Sequence, residues 1–232
     1  MYCPHEAFPT PPRETVIWHY FSLAKFLCLL NNSTLYFPRS DQFEDKMEGK
    51  MSVMDKKLYE KIARSVPEMI EKGINGCFYI NCWVMSDEEL YLMWNTYSSL
   101  NEGIAIKSTV GNLIDSLDVN DKRNIIISKV NYINYEDGDE TGGFSNILAP
   151  HFCKRQYFKQ ENELRLVYYD YYIRPPHNIL GINFAVSLNT LIDEIWISPK
   201  ATKWYHDLVE KEIMLHGLSK KVLSSKLADT IA

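Results

Sequence analysis

The stretch Lys154-Arg-Gln-Tyr-Phe-Lys-Gln-Glu-Asn-Glu-Leu-Arg-Leu-Val-Tyr-Tyr169 decides how this chain is read. From Glu163 onward, polar and apolar residues alternate with the period of a β-strand. Leu164 and Leu166 then turn toward a core, while Glu161, Glu163 and Arg165 share the other face. Such a face is either solvated, with a cross-strand Glu–Arg pair, or it holds working groups. A second polar and aromatic cluster upstream, around Trp94, Tyr97 and Ser98, favours work.

On either side of this strand the chain reads as short strands alternating with short helices. Residues 16–21, 34–37, 77–83, 104–107, 125–135, 182–186 and 194–198 carry the patterns of strands. A helix follows Ser22, with Leu23, Phe26, Leu27 and Leu30 at helical spacing. Another is expected over residues 56–72, interrupted near Pro67. Ser86-Asp-Glu-Glu89 reads as a capping box opening a helix with Leu90, Met93, Trp94 and Tyr97 on one stripe. Thr109 caps a further helix, and residues 146–152 suggest one more. A short helical turn runs through Leu188, Leu191 and Ile192, and Gly217 stops a helix over residues 201–216.

Residues 39–49 are polar and turn-like but too aromatic for a linker, so they are expected to cover something. Residues 136–143 read as an acidic loop and residues 174–177, with Pro175-Pro176, as a turn. Several strand-to-strand joins are too short for parallel crossovers. The expectation is therefore α+β, with mixed, mostly antiparallel sheets and short flanking helices. Residues 16–217 form a single domain in this reading, after an extension over 1–15 and before a tail over 218–232 that adds a small helix or frays.

At 232 residues, with 46% hydrophobic and 24% charged residues, the chain has the composition of a globular protein with a real core. A formal charge of -5 argues against broad attachment to nucleic acid. Lys154, Arg155 and Lys159 form the main basic cluster before the C-terminal lysines, and a solvated surface is the plainer account of it. Five cysteines without CxxC or zinc-knuckle spacing read as thiols in a reducing compartment, and no stretch reaches membrane-spanning length, which places the chain in a cytoplasm without membrane association. Neither a GxGxxG nor a Walker loop occurs.

The segments WHYFSLAKFLCLLNNSTLYFPRSDQFEDKMEG, NCWVMSDEELYLMWNTYSSLNEGIAI, FCKRQYFKQENELRLV and EIWISPKATKW resemble, in that order, the bacterial and phage family known as domain of unknown function 2971. A remoter resemblance is to the ADP-ribosyltransferase fold, in which facing sheets hold NAD in a cleft. By position, that resemblance implies a first-strand His at His19, an aromatic or Ser group at Tyr97 or Ser98, and a later-strand Glu at Glu163. Glu161 with Glu163 is similar to the paired acids of arginine-modifying transferases. Tyr97 and Ser98 depart from the fold's usual strand-borne Ser-Thr-Ser by falling near a helix end.

The resemblance implies an NAD-consuming effector of toxin or phage-defence type, with NAD as substrate, no metal, and a nucleic-acid, nucleotide or protein acceptor. Breaking the nicotinamide bond develops positive charge at the ribose, and a preorganised carboxylate, Glu163, would stabilise it while Glu161 orients the acceptor. His19 would donate to the ribose, or is a satisfied structural residue between Trp18 and Tyr20. Tyr97 would stack on nicotinamide or, with Trp94, pack in a core. Arg39 would hold phosphates or pair with Asp41 or Glu44. Arg165 would clamp Glu163, or meet substrate.

Two other classes stand beside this one. A magnesium-dependent nuclease would use Asp41, Glu44, Asp45 and Glu163. A non-catalytic sensor or protein-binding domain would rely on surface aromatics such as Tyr157 and Phe158.

Overall fold

The computed structural model describes residues 1–62, 75–136, 138–142, 146–173 and 177–228. Its centre is a seven-stranded sheet ordered β11-β10-β4-β1-β3-β8-β5. The strands are β1 (Val16–Ser22), β3 (Phe78–Met85), β4 (Gly103–Thr109), β5 (Ile125–Lys129), β8 (Glu163–Tyr169), β10 (Glu194–Ile197) and β11 (Lys221–Ser224). All neighbours run antiparallel except β10 and β11. Two small sheets pair β2 (Thr34–Pro38) with β9 (Gly181–Ala185) and β6 (Asn131–Ile133) with β7 (Cys153–Arg155). The fold is α+β, mixed and mostly antiparallel, as the pattern of short joins implies.

Alternation along the central strands sends two different sets of side chains to the two faces. One face carries Ile17, Phe21, Tyr79, Trp83, Ile104, Ile106, Leu164 and Leu166 into the main core. Helices α1 (Leu23–Asn32), α4 (Val110–Ser116), α5 (Leu188–Leu191) and α6 (Lys203–Leu215) cover it, burying Phe26, Leu113, Leu191 and Val209. Thr109 caps α4 as its sequence predicts, its hydroxyl accepting from the Asn112 amide at 3.1 Å. Gly217 takes φ +69 after α6, the conformation that a helix stop requires.

The opposite face holds two apolar clusters with a gap between them. Trp18, Tyr20 and Val84 pack with Met93 and Trp94 of α3 (Tyr91–Tyr97) in one. Phe78, Ile80 and Val167 pack with Phe8 and Phe152 in the other. Cys82, Glu163 and Arg165 emerge between these clusters, since Val84 pairs with Glu163, Cys82 with Arg165 and Ile80 with Val167.

Three local expectations are corrected. Residues 221–224 form β11, parallel to β10, where the tail was expected to be helical or frayed. Ser86 and Glu89 make no capping box: α3 starts at Tyr91, and Glu89 turns inward to accept from Trp94 Nε1 (2.7 Å), Ser225 Oγ (2.6 Å) and the Lys226 amide (2.6 Å). Those bonds pin the segment after β11. Residues 149–152 form a 3-10 turn rather than a longer helix.

The helix expected over 56–72 is seen as α2 (Val53–Ile62); its continuation past Pro67, like most of the 174–177 turn, lies outside the described residues. The N-terminal segment bonds along β5, with Cys3 N to Ile125 O at 2.8 Å and Thr10 Oγ1 to Ile127 O at 2.7 Å. Cys3, Cys28, Cys77, Cys82 and Cys153 form no disulfide. Among the described residues, no helix is long and apolar enough to cross a membrane.

Candidate functional site

The gap between the two apolar clusters is filled by charge. Glu161 ends a 3-10 helix (Gln156–Glu161), Asn162 adopts the left-handed φ of 41, and Glu163 opens β8. Glu161 is therefore not on the strand, yet the turn at Asn162 brings both acids to Lys154. The Lys154 ammonium lies 2.5 Å from Glu161, 3.2 Å from Glu163 and 3.5 Å from Glu48. Arg165 clamps Glu163 through Nε (2.8 Å) and Nη2 (3.1 Å), pairs with Glu48, and donates to the His151 carbonyl at 2.9 Å.

These groups are deeply buried: Glu161 is 7% exposed, Glu163 5%, Lys154 6% and Arg165 1%. The basic residue expected on a solvated surface is thus an interior cation. Residues 39–49 do cover something, because Glu48 enters the network and Phe43 lies against the Arg165 guanidinium at 5.6 Å.

Charge and burial set the protonation states. Burial works against the Glu163 carboxylate, but Arg165 and then Lys154 outweigh it and hold its pKa at about 2. For Glu48, burial prevails over the same two cations and the pKa rises. Three carboxylates meet two cations here, one acid more than the cations can pair. Lys154 is held protonated because Glu163 and Glu48 overcome its desolvation. Burial, reinforced by Glu163, pushes the Cys82 thiol far up, so it remains a thiol rather than a nucleophilic thiolate.

One member reaches the surface. Tyr97 is 43% exposed while its hydroxyl donates to Glu161 at 2.8 Å. Its helical neighbour Trp94 is fully buried, edge-on to Tyr20. Ser98 only closes the helix, donating to the Trp94 carbonyl at 2.9 Å. The Tyr97–Glu161–Lys154–Glu163–Arg165 chain thus links an exposed aromatic face to an acidic interior.

His19 and Arg39 do not join it. His19 lies on the other face of the sheet, its ring 5.0 Å from Trp83 and 4.3 Å from Phe21, whereas Glu163 shares its face with Val84 and Cys82. The solid sheet separates the two. Burial, with Lys25 adding to it, lowers the His19 pKa to about 3, and its Nδ1 has no hydrogen-bond partner. Arg39 bridges to Tyr79, at the far end of β3 from Val84, roughly 17 Å away at about 3.4 Å per residue. Its guanidinium bonds Asp41 at 2.7 Å and the His177 and Ile179 carbonyls at 2.8 and 3.0 Å.

Of the acidic set weighed for magnesium, Asp41 is tied to Arg39, Asp45 to Arg155, and Glu163 to Arg165 and Lys154. Lys154 and Glu48 are the members that sequence reasoning missed. Lys154 carried the signal of a basic cluster read as solvated, and Glu48 lay in the 39–49 stretch expected to cover something.

No family model matches the chain, so its resemblance to domain of unknown function 2971 rests on the quoted segments alone. No curated protein matches it. Among solved structures it is similar to Thermus sp. 2.9 DarT in complex with NAD+, at 12% identity and a TM-score of 0.45, over 94% of this chain and 98% of that one. The same DarT in complex with ADP-ribosylated ssDNA aligns at 11% identity and a TM-score of 0.43, over 94% and 98%. Likeness at that level carries no argument about chemistry, which rests on the side chains.

Proposed function

We propose that this protein is an NAD-consuming, ADP-ribosyltransferase-like enzyme that works from the Tyr97–Glu161–Glu163 face of the sheet, without His19. The observation that carries the reading is the exposed Tyr97 ring hydrogen-bonded to a buried acid in a network with an excess negative charge. Nicotinamide stacks on the Tyr97 ring, which places the ribose beside Glu161.

The C1–nitrogen bond then breaks, its electron pair neutralises the pyridinium, and positive charge develops on the ribose. The fixed negative charge of the cluster stabilises that cation. Glu161, with one oxygen toward Tyr97 and one toward Lys154, receives the proton that the acceptor loses as it attacks C1. Glu163 holds Lys154 and Arg165 in place. The acceptor is a macromolecule or nucleotide, in keeping with an effector of toxin or phage-defence type.

The test is nicotinamide release from labelled NAD, with and without cell extract. Wild type is expected to release it, Tyr97→Ala to lose most of the rate, and His19→Leu to retain it. Absence of both release and label transfer from folded wild type rejects the reading in favour of a non-catalytic domain, for which Tyr157, 80% exposed, is the surface to probe.

A further inference from the structure

One turn of the chain supplies anions to every cation of the candidate site. Residues 43–50 belong to neither helix nor strand and fold on themselves, with Glu48 N bonded to Asp45 O at 3.1 Å and Met47 N to Asp45 Oδ1 at 3.0 Å. From this turn, Asp45 meets Arg155 Nε at 2.9 Å. Glu48 meets Arg165, and Lys154 at 3.5 Å.

Arg155 and Lys154 are consecutive, and both stand against the single Phe158 ring, at 5.4 and 4.9 Å from its centre. The cations are therefore gathered in one place. Glu161 and Glu163 alone would balance Lys154 and Arg165, so Glu48 is the surplus carboxylate, and it arrives on the turn. Burial already makes that charge hard to keep.

We propose that Asp45 and Glu48 occupy a binding site for a diphosphate ester, which exchanges for their two carboxylates at Arg155 and at Lys154 and Arg165. The exchange conserves charge, since a diphosphate diester carries two negative charges, as the two side chains do. Guanidinium groups suit phosphate oxygens through paired donors, and the ammonium supplies a point charge. Gly49, at φ +71, adjoins Glu48 and gives the turn a backbone that its withdrawal can use. That the natural ligand is a dinucleotide rests on the NAD reading; the anion site itself does not.

The experiment is calorimetric titration of the full chain with inorganic pyrophosphate and with ADP-ribose, comparing wild type, Asp45→Asn and Glu48→Gln. Removing a competing carboxylate raises the fraction of open sites, so each variant is expected to bind pyrophosphate about tenfold more tightly. Equal affinity in all three proteins, no binding in any, or sulfate binding as tightly as pyrophosphate overturns the proposal. Circular dichroism checks folding; if Glu48→Gln fails to fold, Asp45→Asn at the pair with Arg155, whose side chain is 40% exposed, decides. Tightened pyrophosphate binding without nicotinamide release keeps the anion site and rejects the transfer reading, whereas release without tightening does the reverse.

Discussion

Replacing Lys154 with Met tests the charge cluster most directly, because methionine keeps the length and the contact with Phe158 while deleting the cation. In the wild type, Lys154 lies 2.5, 3.2 and 3.5 Å from three carboxylates. At an effective dielectric of about 20, each contact is worth roughly 5 kcal/mol before the desolvation of the ions is subtracted. The net loss on removing one partner of a buried pair is about 3–5 kcal/mol. For a chain of this size that lowers the melting temperature by roughly 6–20 °C.

The loss should also depend on pH. Burial already raises the pKa of Glu48 and Lys154 works against that rise, so without Lys154 its folded pKa lies further above the unfolded one, folding takes up a proton, and the variant gains on the wild type as pH falls from 7 toward 4. Adding Glu161→Gln returns the cluster to one excess negative charge and should recover about 1–3 kcal/mol. Urea denaturation of the wild type, both single variants and the double variant at pH 7 and pH 5 measures all of this. A Lys154→Met variant within about 1 kcal/mol of wild type at pH 7 would refute the argument, since the acids would then not need the ammonium.

Two further outcomes follow from groups outside the cluster's acids. His151 is buried and stacked on Phe78 at 3.7 Å, with burial, helped by Arg165, lowering its pKa to about 3. The unfolded chain alone takes up this proton between about pH 6.5 and pH 3, so stability falls on acidification through that window, by at most about 1.4 kcal/mol per pH unit. His151→Phe should flatten the acid limb of a stability–pH curve by that slope, and an unchanged limb would mean the imidazole is already charged when folded. Glu89→Ala strips the acceptor from Trp94, Ser225 and Lys226. It should cost about 3 kcal/mol and speed amide exchange across Lys221–Ser224, and unaltered protection there would show that Glu89 does not hold the strand.

Local pattern was legible in the sequence where the physics is local. The alternation in Glu163–Tyr169, the Thr109 cap and the Gly217 stop each follow from neighbouring residues alone. The separation of His19 from Glu163 does not, because it depends on which strands pair and in what register: Ile17 meets Met85, and Val84 meets Glu163. Lys154 resembles a surface residue among Arg155 and Lys159 until three acids from two segments close on it. The strand Lys221–Ser224 is too short to announce itself and gains its identity from a parallel partner. Glu89 had a good local use as a cap and was drawn away by three stronger donors.

Asn162 sets the relation between the two acids through a single backbone torsion, at φ 41, while its side chain and carbonyl fasten it to Met85. Asparagine tolerates that region; a β-branched residue does not, at a penalty of about 1–2 kcal/mol. Swapping in valine would thus pull Glu161 off its lysine while every ionisable group stayed in the chain. Position 162 is a steering point: acid placement there is adjustable by stereochemistry, with the net charge of the protein left untouched.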